Sequence, residues 1–212
     1  DYDLQYALCS LYSPITGEWV GFQHSNPNLL DNWYFADPVN QRGQDTYTQR
    51  GYAVDRWNLN SGVMQVSGGG ITLAPQGTSR VQLQQVLENP NALYGKVLTM
   101  SFYIDGQIYS QTVSIPQHPS FPLDTTSPEI DGMRLYLYQG TENGVFWAGL
   151  RVEPGCAAKT VVAAKLEFGT VQTLAHKDSS GKWVLNDPPP NKALELAKCQ
   201  RYQAVLEPEG RY

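Results

Sequence analysis

The chain has 212 residues, 41% hydrophobic and 17% charged, which suffices for one sizeable core and excludes a chain disordered throughout. Its net charge of -5 and pI near 5.1, with no basic block, exclude a phosphate-tracking nucleic-acid surface. No apolar run approaches the roughly twenty residues that cross a bilayer, so membrane insertion is not expected either.

Residues 1–27 read as an arm or the end of a preceding module, with one strand in "YALCSLY" and a turn at "PITGEW". The first residue is Asp1 and no signal-peptide pattern follows, so the chain reads as a fragment of something longer. The next run, "NLLDNWYFADPVNQRGQDTYTQRGYAVDRW", opens a β-domain expected over 28–187. There "NLLDN" reads as a first strand, "PVNQRG" as a turn-rich crossing and "YAVDRW" as the next strand. Asn28, Asn32 and Asn40 are expected to cap turns while Trp33, Phe35 and Trp57 fill the core. A ligand role for Arg42 or Arg56 is the less favoured alternative.

From about residue 60 the dominant period is two. "GVMQVSGGGITLAP" and "SRVQLQQVLE" give short strands around a triple-Gly turn. "VLTMSFYI" sets Leu98, Met100, Phe102 and Ile104 on one face and Thr99, Ser101 and Tyr103 on the other, the alternation of a half-buried strand. "QIYSQTVSI", "GMRLYLYQG", "VFWAGLRVE" and "KTVVAAKLEFG" are similar, rich in β-branched and aromatic residues and bounded by turn formers. Seven or more short strands without helical periods between them predict an antiparallel sandwich or barrel. After the triple proline, residues 188–212 form a linker and a short helix, with Asn191 as its N-cap.

The most informative pair is "GMRLYLYQG" with "GVFWAGLRVE". A hairpin across the loop Thr141 to Gly144 makes Tyr138 oppose Trp147, Tyr136 oppose Gly149 and Arg134 oppose Arg151. Met133, Leu135, Leu137, Phe146, Leu150 and Val152 then form the core side, so the first set faces outward or into a groove. Tyr136 opposite a glycine leaves a ring face open, and sugars stack their C–H faces on such rings while Arg supplies forked donors. The opposed arginines need an acidic neighbour or an anionic ligand between them, such as a uronic or sialic acid or a wall phosphate. Gln82 and Gln84 are expected outward, where an amide suits sugar hydroxyls and a plain solvated strand equally. The carbohydrate-binding candidates are therefore Arg134, Tyr136, Tyr138, Trp147, Arg151, Gln82 and Gln84. The alternative is that the aromatics are covered by the arm, a neighbouring strand or another subunit, with Glu or Asp pairing the arginines.

Signs of catalysis are scarce. There is no GxSxG, HExxH or Walker loop, and "SGGGIT" lacks the spacing of a phosphate cradle. His24, His118 and His176 read as solvated loop residues, and Cys9, Cys156 and Cys199 as buried free thiols outside any metal spacing. Glu88, Asp105, Asp131, Glu153 and Glu167 offer carboxylates whose distances spacing does not give. A non-enzymatic binding protein is the expectation.

"NLLDNWYFADPVNQRG", "GYAVDRW", "GGITL", "KLEFGTVQTLA" and "ELAKCQRY" together resemble a recurring domain of bacteriophage and prophage tail proteins, especially tail-fibre or receptor-binding components of viruses of Gram-positive gut bacteria. The match covers roughly 28–205. "NLLDN" and "LYGKVLTMSFYI" are also similar, more loosely, to jelly-roll carbohydrate-binding modules. These resemblances imply an antiparallel, galactose-binding-like β-sandwich in the virion tail that grips a host cell-surface polysaccharide. They imply a homo-oligomer, as in trimeric fibres, contacting other tail subunits. Such modules often hold a structural calcium at an acidic pair. Here the last strand carries Lys165, Leu166 and Glu167, which puts calcium in doubt. Two alternatives stand beside this: a structural connector domain of the virion, and a carbohydrate-binding module of a secreted bacterial enzyme.

Overall fold

A computed structural model describes residues 10–13, 18–21, 25–140 and 145–202. In chain order its strands are β1 (Ser10–Ser13), β2 (Glu18–Gly21), β3 (Thr46–Tyr47), β4 (Gly51–Tyr52), β5 (Trp57–Ser61), β6 (Val63–Ser67), β7 (Gly70–Ala74), β8 (Val81–Leu87), β9 (Val97–Ile104) and β10 (Gln107–Ser114). There follow β11 (Leu123–Asp124), β12 (Met133–Gln139), β13 (Phe146–Val152), β14 (Lys159–Phe168), β15 (Ala175–Lys177), β16 (Trp183–Leu185) and the helix α1 (Lys192–Gln200). All strand pairings are antiparallel.

Two six-stranded sheets form the sandwich, ordered β10-β9-β14-β7-β6-β3 and β11-β12-β13-β8-β5-β4. The alternating residues read as core meet between them: Leu98, Met100, Phe102 and Ile104 from one sheet face Leu83, Leu135, Leu150 and Val152 from the other, all buried. Burial of these side chains against water is the main favourable term holding the sheets together. The chain passes from one sheet to the other between β5 and β6 through the single residue Gly62. Its φ is +83°, and a Cβ there would lie 2.4 Å from the Cβ of Val81, so only glycine permits the corner.

The opening run is more irregular than its pattern predicts. Residues 28–35 line the edge of β14 through Leu29 N–H to Leu166 O (2.8 Å), Ala164 N–H to Trp33 O (3.0 Å) and Phe35 N–H to Val162 O (2.8 Å). The run is interrupted at Asn32, whose φ is +51°, so "NLLDN" is not the regular first strand expected. Asn32 instead ties three segments: its amide donates to Val39 O (2.9 Å) and Asp55 O (2.8 Å), and its Oδ1 accepts Val39 N–H (2.7 Å). Trp33, Phe35 and Trp57 are core residues, as expected. "YAVDRW" is two elements, β4 and the start of β5, separated by a turn closed by Trp57 N–H to Val54 O at 3.0 Å.

The second sheet departure concerns β9 and β14. The residues expected to face water, Thr99 and Ser101, are as buried as their core neighbours, because residues 169–187, including the ribbon β15-β16, fold over that face. Lys165 is fully enclosed there, its ammonium bonded to Ser25 Oγ (2.5 Å), Asp187 Oδ2 (2.9 Å) and Thr173 O (3.4 Å). Glu167, opposite Thr99, accepts the Thr173 N–H at 2.6 Å and the Thr173 hydroxyl. His176 belongs to this ribbon, half-buried and bonded to Asn186, rather than to a solvated loop. His118 is exposed, and His24 and Cys9 lie outside the described residues.

The C-terminal helix forms where expected, its N-cap Asn191 accepting Ala193 N–H (3.0 Å) and Leu194 N–H (3.2 Å). It docks on the sandwich through Glu195, which accepts Asn32 N–H at 2.5 Å, and through buried Cys199.

Candidate functional site

The outer face of the β11-β12-β13-β8-β5-β4 sheet is built by the register counted from sequence. Tyr138 pairs with Trp147, Tyr136 with Gly149 and Arg134 with Arg151, and the connecting loop Thr141 to Gly144 lies outside the described residues. Continuing across β8, Trp147 pairs with Val86, Gly149 with Gln84 and Arg151 with Gln82. All seven candidates thus share one face.

What covers that face differs from expectation. Tyr136 is 0% exposed, not an open platform. Gly149 has no side chain, so the tyrosine lies across its strand: a Cβ on Gly149 would meet Tyr136 Oη at 2.7 Å. The hydroxyl reaches over to donate to Gln84 Oε1 at 2.7 Å, and the Arg151 guanidinium closes the other side, 4.3 Å from the ring centroid. Enclosure holds this hydroxyl above the usual tyrosine range, with Arg151 opposing. Gln82 and Gln84 are likewise not solvated, at 5% and 9% exposure; Gln82 Nε2 donates to Gln84 Oε1 at 2.8 Å.

The two opposed arginines resolve their repulsion unequally. Arg134 donates to Glu153 Oε1 (3.0 Å), Glu129 Oε2 (3.3 Å) and Ser127 O (3.1 Å), the acidic neighbours anticipated as one of two solutions. Arg151 takes no carboxylate among the described residues, and its Nε is buried without an acceptor. Tyr138 and Trp147 remain half-buried.

A second part of the face was not legible in the sequence. Val86, the cross-strand partner of Trp147, also lines a pocket of about 270 Å³ with Tyr52, Arg56, Leu87, Glu88, Cys199 and Tyr202. Tyr52 and Tyr202 are each 45% exposed, and the Arg56 guanidinium lies 3.7 Å from the Tyr202 ring centroid. Arg56 is also held by Asp31 (3.1 Å), Glu88 (3.4 Å) and Val86 O (3.3 Å). The pocket joins the β4 edge to the end of α1, sites some 150 positions apart in the chain (Tyr52 and Tyr202), which no local pattern brings together. Arg42, by contrast, serves the backbone, donating to Ala53 O at 3.0 Å.

The carboxylates singled out for acid–base chemistry each serve a separate partner: Glu88 with Arg56, Asp105 with Lys159, Asp131 with the Tyr109 hydroxyl, Glu153 with Arg134, and Glu167 with Thr173. Among the described residues no three His, Cys, Asp or Glu side chains come together to hold a metal ion. Where an acidic pair would stand, the Lys165 ammonium occupies the oxygen cluster of Ser25, Thr173 and Asp187. Of the thiols, Cys156 is half-buried rather than enclosed.

The fold is an all-β, antiparallel sandwich. Comparison with family models, curated proteins and solved structures finds no match to the chain.

Proposed function

We propose that this sandwich is a non-catalytic carbohydrate-binding module of a phage or prophage tail-associated protein, attaching to host-surface glycan. The observation that carries the binding reading is the line of partly open aromatics on one sheet face: Tyr138 and Trp147 side by side, then Val86, then the pocket flanked by Tyr52 and Tyr202. Flat rings with adjacent guanidinium and amide donors suit the C–H faces and hydroxyls of sugars. The site is shallow, so each copy binds weakly, and a homo-oligomer multiplies effective concentration into firm attachment. The tail assignment draws on the sequence resemblance.

A glycan-array screen of the 212-residue chain beside Trp147→Ala and Tyr138→Ala tests it, with thermal melting to establish folding. Selective binding that folded variants lose supports the module; a wild type that binds no glycan overturns it. The connector reading draws on another observation, the exposure of Phe168 and Val171 near one another in sequence, an apolar surface that a neighbouring subunit would cover. A chain that binds no glycan and loses self-association on Phe168→Ser would favour it.

A further inference from the structure

We propose that Arg151 reads an acidic group on the bound glycan, so that the preferred ligand carries an oxyanion, carboxylate or phosphate, on its sugars. This rests on the glycan-binding reading above and specifies its ligand class.

Of the arginines that border the outer face, Arg56, Arg134 and Arg151 differ in their commitments. Arg56 has Asp31, Glu88, a carbonyl and the Tyr202 ring, while Arg134 has Glu153, Glu129 and a carbonyl. Beyond the Tyr136 ring that it covers, Arg151 has no carboxylate partner among the described residues, and its buried Nε has no acceptor. A largely covered guanidinium with an unused buried donor is costly, and covering Tyr136 alone does not require it, since a methionine or leucine would shield the ring without stranding a charge.

The geometry suits a group held ready for a ligand. Arg151 sits over a ring that is itself fixed by Gly149 and Gln84, which holds the guanidinium in place while its buried Nε–H stays unpaired. A fork held in place loses little freedom on binding and matches two oxygens of a carboxylate or phosphate. The positive charge at this point is not offset: Glu129 and Glu153 are taken by Arg134, Gln82 on the other side is neutral, and the further charge that acts on Tyr136, Arg80, is also a cation. Arg151 and Trp147 lie on the same face four residues apart on β13, about 13 Å along the strand, so a ligand touching both is an oligosaccharide rather than a single sugar.

The test is an array that pairs acidic glycans with neutral counterparts, including oligogalacturonides beside their carboxyl-reduced forms and a short poly(glycerol phosphate), probed with wild type, Arg151→Gln and Arg151→Lys. The expected result is binding to acidic members that falls about tenfold in Arg151→Gln, is only partly kept by Arg151→Lys and weakens with added salt. The galacturonide and glycerol phosphate arms tell a carboxylate from a phosphate. Should Arg151→Gln melt early, the wild-type Arg151 Nε–Hε NMR signal takes its place; it must shift on adding the acidic oligomer and stay put with the reduced one. Binding confined to neutral glycans, or acidic binding indifferent to Arg151, overturns this inference and leaves the glycan module standing. An array with no bound member overturns both.

Discussion

The ammonium of Lys165 and the carboxylate of Asp187 lie 2.9 Å apart on the covered face of β14, and the two side chains are unequal: the lysine is fully enclosed, the aspartate about a third exposed. Removing the aspartate strands a buried charge, whereas removing the lysine leaves a carboxylate that water can reach. Asp187→Ala is therefore expected to cost about 2 kcal/mol and Lys165→Met under about 1 kcal/mol. Urea midpoints of the two variants check this, and the reverse order would show that the ammonium is satisfied by Ser25 and Thr173 alone.

The Tyr136 ring is a structural part of its sheet, so its substitution reads out in stability before binding. Tyr136→Ala should cost about 3–5 kcal/mol, as for a buried aromatic, and Tyr136→Phe about 1 kcal/mol for the bond to Gln84. Gly149→Ala should cost about 1–3 kcal/mol, because its Cβ would press on Leu83 O at 2.4 Å as well as on the tyrosine. Thermal melts of the three, with the Gly149→Ala/Tyr136→Phe double variant, measure the coupling; simple additivity would argue against contact between the two sites.

Docking of α1 is what shields Cys199. Asn191→Ala removes a cap worth about 1 kcal/mol, and Glu195→Ala removes the acceptor of Asn32 N–H. Burial, with Asp55 and Glu195 nearby, raises the Cys199 thiol to about 12, so it should label far more slowly than half-buried Cys156 at neutral pH. Both helix variants should speed labelling of Cys199 and not of Cys156, as peptide mapping after thiol modification would report.

Alkali should expose the same burial. Cys199 and Tyr109 are both raised to about 12, from ordinary values of 9.0 and 10.0, by burial first and then by neighbouring carboxylates. Groups raised in this sense contribute stability that is whole below their unfolded values and is lost as pH climbs through the folded ones. Denaturation midpoints should therefore hold steady up to about pH 9 and fall between about 9 and 12. Cys199→Ser should flatten the early part of that fall, and an unchanged profile would contradict the assignment.

Alternation along strands was enough to place the hairpin of β12 and β13 in register, pair by pair, and to find the helix behind Asn191. It identifies which face a residue occupies and is silent on what lies over that face. Opposite a glycine, Tyr136 reads as open; the same absence of a side chain lets the ring lie down and Arg151 close over it. Thr99 and Ser101 look like solvent-facing polar residues, yet residues 169–187 cover them through contacts no period encodes. Asn32 reads as a turn cap and in fact joins Val39, Asp55 and Glu195. The pocket under Tyr202 depends on a helix meeting a turn from the far end of the chain.

Three of the four borders of the sandwich, β3, β4 and β11, are strands of two residues. Beside β11 the Thr125 and Ser127 hydroxyls accept the Leu137 and Leu135 amides, occupying groups that an incoming chain would need. Among the described borders of the two large sheets only β10, eight residues long, offers an extended ladder. Strand donation by a second polypeptide accordingly has its port of entry, among these described borders of the sandwich, at Gln107 to Ser114, and a proline placed at an outward-pointing amide there would shut it.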